Sequence, residues 1–124
     1  MNPIKSTLVF GASTNTERYS YLALKMLVEN NIKTHAFSIK KGEIFGVPFQ
    51  NDIKSFENQD IHTVTLYMNP TNLKPYWDDI AKINPKRVIF NPGTFDSGFE
   101  SFLNEKNIET LEACTLVLLR TNQF

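Results

Sequence analysis

The chain holds one cysteine, Cys114, in 124 residues. An internal disulfide framework and a thiolate-cluster metal site are therefore both excluded. Charge of either sign is not in excess, since thirteen Lys and Arg stand against thirteen Asp and Glu. A broad basic footprint for nucleic acid or an anionic membrane is not expected, and any positive potential has to be local. No apolar run approaches the roughly twenty residues of a membrane span, and the opening Met1-Asn2-Pro3-Ile4-Lys5 has no apolar signal core. These features lead us to expect a cytoplasmic protein with no membrane partner. No repeat and no low-complexity linker interrupts the sequence, and its length suits one domain over residues 1–124 with a single core.

What the sequence does have is a continuous apolar run, Leu8-Val9-Phe10, that ends on Gly11-Ala12-Ser13. After a polar insert it restarts as Arg18-Tyr19-Ser20-Tyr21 and Leu22-Ala23-Leu24-Lys25-Met26-Leu27-Val28. This order reads as strand, turn and helix. The first N–H groups of a helix have no internal partner and carry the positive end of its dipole, so such a turn is a candidate cradle for a diphosphate. Gly11 permits close backbone approach, Ser13 and Thr14 bring hydroxyls, and Arg18 brings a forked cationic donor.

Taken in order, residues 6–10 form a first, central strand, and the helix beginning near Tyr19 closes at Glu29-Asn30-Asn31, where an asparagine suits a left-handed cap. A second strand covers 34–39, and the glycine- and proline-punctuated stretch from Gly42 to Gln50 reads as loop. A short helix over Asp52 to Glu57 precedes a third strand over 63–68. Asn69-Pro70 then opens a helix to about Ile83. A fourth strand at 87–90, a helix at 98–105 and a fifth strand near 109–112 follow. The run from Ala113 to Leu119 fits either strand or buried helix by its pattern, and we read it as helix. Alternating strands and helices imply an α/β, three-layer Rossmann-like fold with a mainly parallel five-stranded sheet. The turns 11–18, 40–46, 67–70 and 91–94 all follow strands, so all fall on one sheet edge, where ligands of such folds sit.

The turn supplies only the first of the three glycines of a dinucleotide fingerprint. At the end of the second strand, where an NAD site places an acidic residue, stand Lys40 and Lys41. A basic pair there favours a ribose bearing an extra phosphate, which leaves NADP and coenzyme A both open. Together with Ile44-Phe45-Gly46, Asn91-Pro92-Gly93 and Ala113-Cys114, the strand–turn–helix resembles the small single-domain CoA-binding proteins. These are similar to the amino-terminal CoA-binding domain of the succinyl-CoA synthetase alpha subunit. The resemblance spans nearly the whole chain. It implies coenzyme A or acyl-CoA as the bound partner, with Gly11, Ala12, Ser13, Arg18 and Ser20 on the phosphates and Lys25 close by. It further implies Lys40 and Lys41 at the second-strand end, and Tyr67, Asn69 and Pro70 beside the adenosine.

No catalytic or metal residue is assigned. Cys114 lies in an apolar run that suits packing, and His35 and His62 lack metal-ligand spacing. Asp78, Asp79 and Glu100 read as solvated helix faces. The expected function is a non-catalytic carrier, sensor or regulatory module for coenzyme A, with an unknown protein partner. An NADP-dependent oxidoreductase is the alternative.

Overall fold

A computed structural model describes residues 2–124. Seven strands form one sheet: β1 (Asn2–Phe10), β2 (Ile32–Phe37), β3 (Glu43–Ile44), β4 (Val47–Gln50), β5 (Thr63–Leu66), β6 (Arg87–Phe90) and β7 (Glu109–Glu112), in the spatial order β3-β4-β2-β1-β5-β6-β7. Every pairing is parallel except that of β3 with β4. The Rossmann-like α/β reading therefore holds, while the expected count of five strands is corrected to seven.

Both extra strands lie in the stretch read as loop from Gly42 to Gln50. Gly42, Gly46 and Pro48 mask a hairpin in which Ile44 pairs with Val47 across the two-residue turn Phe45-Gly46. Both turn residues have positive φ, 51° at Phe45 and 78° at Gly46. That conformation matches the twist of a tight hairpin, and a phenylalanine rarely adopts it. Val47 and Phe49 alternate inward on β4. This period of two was the available signal.

The strand β1 lies in the middle because its residues 6–10 are apolar or small, and all five are buried. Its side chains alternate between two cores. Leu8 and Phe10 continue across the sheet through Val64 and Leu66 to Val88 and Phe90. They pack under the helices α3 (Trp77–Ile83) and α4 (Ser97–Glu105) through Ile80, Ile83, Phe99 and Leu103. Val9 and Ala36 face the other way, toward Leu24 and Leu27 of α1 (Tyr19–Glu29) and Leu119 of α5 (Thr115–Arg120). The tail expected as helix is thus helical. The helix expected from Pro70 to about Ile83 is instead divided into the short α2 (Pro70–Leu73), a tight turn over Lys74–Tyr76, and α3. Pro75 has no N–H to give and its ring crowds the preceding turn, which is a sufficient cause. The helices α1, α3, α4 and α5 are each followed by a left-handed asparagine, Asn31, Asn84, Asn107 and Asn122. Asparagine is the residue after glycine best able to take that cap.

Buried Asn91 joins three elements. Its Nδ2 donates to Thr65 Oγ1 at 2.6 Å and to Leu66 O at 2.9 Å, and its Oδ1 accepts from the Thr115 N–H at 2.9 Å. Its main-chain oxygen accepts from the Thr94 N–H and hydroxyl. Asn91→Ala should lower stability by about 3 kcal/mol, because buried donors and acceptors on three elements lose their partners. Denaturant unfolding would measure the shift. Gly46 has open space where a side chain would stand, so Gly46→Ala isolates backbone strain. A loss of about 1 kcal/mol is expected in the same assay.

Candidate functional site

The strand order changes direction at β1: β2 lies on one side of it and β5, β6 and β7 on the other. Loops that leave β1 and β5 there diverge and open a crevice beyond the carboxyl ends of the strands. A cleft of about 1040 Å³ occupies that position. It runs from the end of β2, across the β1 turn, to the loops after β5 and β6.

The β1 turn is built around Gly11. Its φ is 103°, and an added Cβ would come within 3.1 Å of Met68 Cγ and 3.3 Å of the Tyr67 carbonyl carbon. No other residue can take this conformation and also sit against the end of β5. The amides of Gly11 and Ala12 both donate to Phe37 O at 2.9 Å. They tie the turn to β2, so a ligand would meet these two residues by shape and close approach, not through their N–H groups. Beyond them the loop holds itself: Ser13 Oγ accepts from the Asn15 N–H, and Asn15 Oδ1 from the Glu17 N–H, each at 3.0 Å. The helix α1 starts at Arg18 with no side chain capping it and no acidic residue in its first turn. The Arg18 and Tyr21 N–H groups are already bonded, to Asn15 O at 3.0 Å and Arg18 O at 3.1 Å, which leaves those of Tyr19 and Ser20 for an outside acceptor.

Of the residues singled out from the sequence, Gly11, Ala12, Ser13, Arg18 and Ser20 line the cleft together, joined by Lys40, Tyr67 and Asn69. Lys41 lines a smaller adjoining cavity of about 190 Å³, to which Arg18 and Lys40 also contribute. Lys25 is exposed on α1 and lines neither space, and Pro70 lines neither because it starts α2 behind Asn69. Asn69 itself caps α2 through Oδ1, which accepts from the Asn72 N–H at 2.8 Å.

The far wall of the cleft holds no residue given a ligand role from the sequence, although Met68 and residues 92–94 fall in turns expected at this edge. It consists of Met68, Pro75, Tyr76, Pro92, Gly93 and Thr94. Tyr76 also packs edge-on against Phe10 and Phe37, which stack on each other at 4.6 Å. The strand-end position of Asn91-Pro92-Gly93 was the signal for part of this wall; Pro75 and Tyr76 arrive through the break in the helix, for which Pro75 itself was the local signal.

Titratable chemistry in the cleft is sparse. Glu17 is the one carboxylate among the described residues that line it. The Tyr67 hydroxyl is buried without a hydrogen-bond partner. Burial pushes its phenol up to about 12, and the nearby Thr115 and Thr65 hydroxyls oppose that shift without reaching bonding geometry. Tyr67 is therefore a neutral wall residue, not a base. Cys114 is half-buried and precedes α5, outside the cleft lining. Burial lowers both His35 and His62 below the usual imidazole range, reinforced by Lys33 at the first and chiefly by Arg87 at the second. Among the described residues no group of three or more His, Cys, Asp or Glu could hold a metal ion, and no helix is long and apolar enough to cross a membrane.

Comparison with known proteins places the chain. A crystal structure of an uncharacterized protein is 40% identical, with 99% of this chain and 100% of that chain covered and a TM-score of 0.93. The cell-free protein ID.343 from Thermus thermophilus shares the fold at 19% identity, 97% and 90% coverage and a TM-score of 0.85. A dinucleotide-forming acetyl-coenzyme A synthetase 1 of Ca. Korarchaeum cryptofilum, solved with phosphate and ADP, shares it at 12% identity and a TM-score of 0.77. There 90% of this chain aligns with 26% of the synthetase. No curated protein matches the sequence. The family model described as CoA binding domain matches residues 5–120, nearly the whole described chain, and to that family the protein belongs.

Proposed function

We propose that the cleft binds coenzyme A or an acyl-CoA, with the diphosphate over the 11–18 turn, and that residues 1–124 act as one non-catalytic carrier, sensor or regulatory module. The observation that carries this reading is the meeting of Ser13, Arg18, Ser20 and Lys40 around the uncapped start of α1 in a chain of this family. A diphosphate there would satisfy the Tyr19 and Ser20 N–H groups and accept charge-assisted bonds from Arg18. Lys40 and Lys41, in the bend after β2, line the cleft and the cavity beside it and would meet the ribose phosphate. Gly11, Ala12, Tyr67 and Asn69 supply shape. Lys25 and Pro70 line neither space and carry no direct contact in this reading.

The non-catalytic part of the proposal follows from the lining. Among the described residues, the lining holds one carboxylate, the exposed Glu17, and no histidine, cysteine or second carboxylate to pair with it. The Lys40-Lys41 pair suits the extra phosphate of NADP equally well, so an NADP-dependent oxidoreductase is the second reading.

Calorimetric titration with coenzyme A and with NADPH separates the two. Saturable binding of coenzyme A, with weaker or no binding of NADPH, supports the proposal; the reverse order rejects it. Arg18→Ala should weaken coenzyme A binding by on the order of 1–3 kcal/mol. An unchanged affinity removes Arg18 from the site.

A further inference from the structure

The turn that carries Lys40 has no regular secondary structure to hold it. Past Phe37, β2 stops pairing, and Ser38, Ile39 and Lys40 bend outward along the cleft. Two side chains close this bend. Ser38 Oγ accepts from the Lys40 N–H at 3.1 Å. From the far side, Asn51 Nδ2 donates to Ser38 O at 2.7 Å and to Lys40 O at 2.9 Å. One amide group thus uses both of its N–H bonds to bridge the two carbonyls that flank Ile39.

Asn51 immediately follows β4, the strand that the hairpin lays beside β2. The Ser38 N–H donates to Gln50 O at 3.1 Å, so the main chain brings Asn51 to the bend and its side chain then locks it. The next residue but one after Lys40, Gly42, is pressed onto the β1 turn: an added Cβ would stand 2.9 Å from Thr14 Cγ2. The bend is consequently held between Asn51 on one side and the candidate phosphate turn on the other. Lys40 lines both the main cleft and the smaller cavity beside it, and Lys41 the latter.

We infer that Asn51 is a positioning residue for ligand recognition: its bridge from Ser38 O to Lys40 O presents Lys40 and Lys41 to the extra phosphate on the ribose. This rests on the reading of the cleft as a coenzyme A site. A backbone fixed before binding leaves only the lysine side chains to be ordered by the ligand, which raises affinity for the group those lysines meet and for no other part of it. Asn51 is itself exposed, so its replacement opens no cavity in the core. The chemistry is specific to the amide. Asp offers two acceptors to two carbonyls and repels both, Ala offers nothing, and Gln keeps the two donors on a longer stem.

The test is calorimetry with coenzyme A and with 3′-dephospho-coenzyme A on the intact protein, its Asn51→Ala, Asn51→Asp and Asn51→Gln forms, and Lys40→Ala/Lys41→Ala alone and combined with Asn51→Ala. The expected result is that Asn51→Ala and Asn51→Asp shrink the preference for coenzyme A over the dephospho form by at least about fivefold, with dephospho-coenzyme A affinity nearly unchanged. The Gln form should recover part of the preference. In the double lysine background Asn51→Ala should add little, because the two changes act through one contact. Retained binding of dephospho-coenzyme A shows that each variant is folded. An undiminished preference in Asn51→Ala, an equal loss for both ligands, or full additivity with the lysine changes overturns the role of Asn51 alone. Failure of the unaltered protein to bind coenzyme A, or to distinguish it from the dephospho form, overturns the ribose-phosphate reading and the role of Asn51 with it.

Discussion

The close approach of three strand ends at Gly11 is the constraint on which the site depends. With no side chain at that position, β1 can finish against the Tyr67 main chain and Met68 of the neighbouring strand end, and the amides of Gly11 and Ala12 can converge on one carbonyl of β2. A side chain there would push β5 away, and a negative φ would send the turn elsewhere. The glycine of this turn is usually argued from what a ligand needs. Here the neighbouring strands already require it, and the uncapped start of α1 is aimed into the cleft as a consequence.

The cleft walls on either side of that turn are held by two asparagines in different settings. Asn91 is buried, and its amide spans β5, β6 and the start of α5, so the Pro92-Gly93-Thr94 wall is anchored from inside the core. Asn51 is exposed and bridges a bend that no helix or strand supports. Opening the first wall means unpairing groups with no access to water, whereas the second can exchange its bonds with solvent at modest cost. The wall opposite the lysines is therefore held from within the core, whereas the lysine-bearing bend depends on the Asn51 bridge to keep its shape.

The aromatic layer links this local mechanics to the core. Phe10 and Phe37 stack where β1 and β2 end, and Tyr76 covers both while its other side lines the cleft. The floor of the cleft is thus the top of the hydrophobic core, so a ligand would dock on a surface whose shape is set by close packing.

Strand-to-helix alternation, the buried run 6–10 and the placement of Gly11, Ser13, Arg18 and Ser20 at one turn were legible along the chain, because each depends on neighbours a few residues apart. The same was true of the asparagine cap at Asn31, whereas the pattern of the tail left strand and helix both open and its helix is a finding of the structure. The hairpin was not, since its glycines and proline resemble loop punctuation until Val47 and Phe49 are seen to enter the core. The division at Pro75 also escaped, and with it Tyr76 as a wall of the cleft. Lys25 illustrates the limit from the other direction: the family resemblance implied a place close to the candidate phosphate turn, yet the helix turns it to solvent.

By itself, then, the order of residues determined the alternation of the main strands and helices and that a glycine-ended turn leads from the first strand into a helix, because periodicity and helix-end chemistry are local. Only the tertiary structure decided that seven strands pair, that two amides of the turn are committed to Phe37, and that Asn51 closes the bend at Lys40. The bonds to Phe37 and the Asn51 bridge join positions distant in sequence, and the inward alternation on β4 spans only four residues beside glycine and proline, too short to read as strand without its partners.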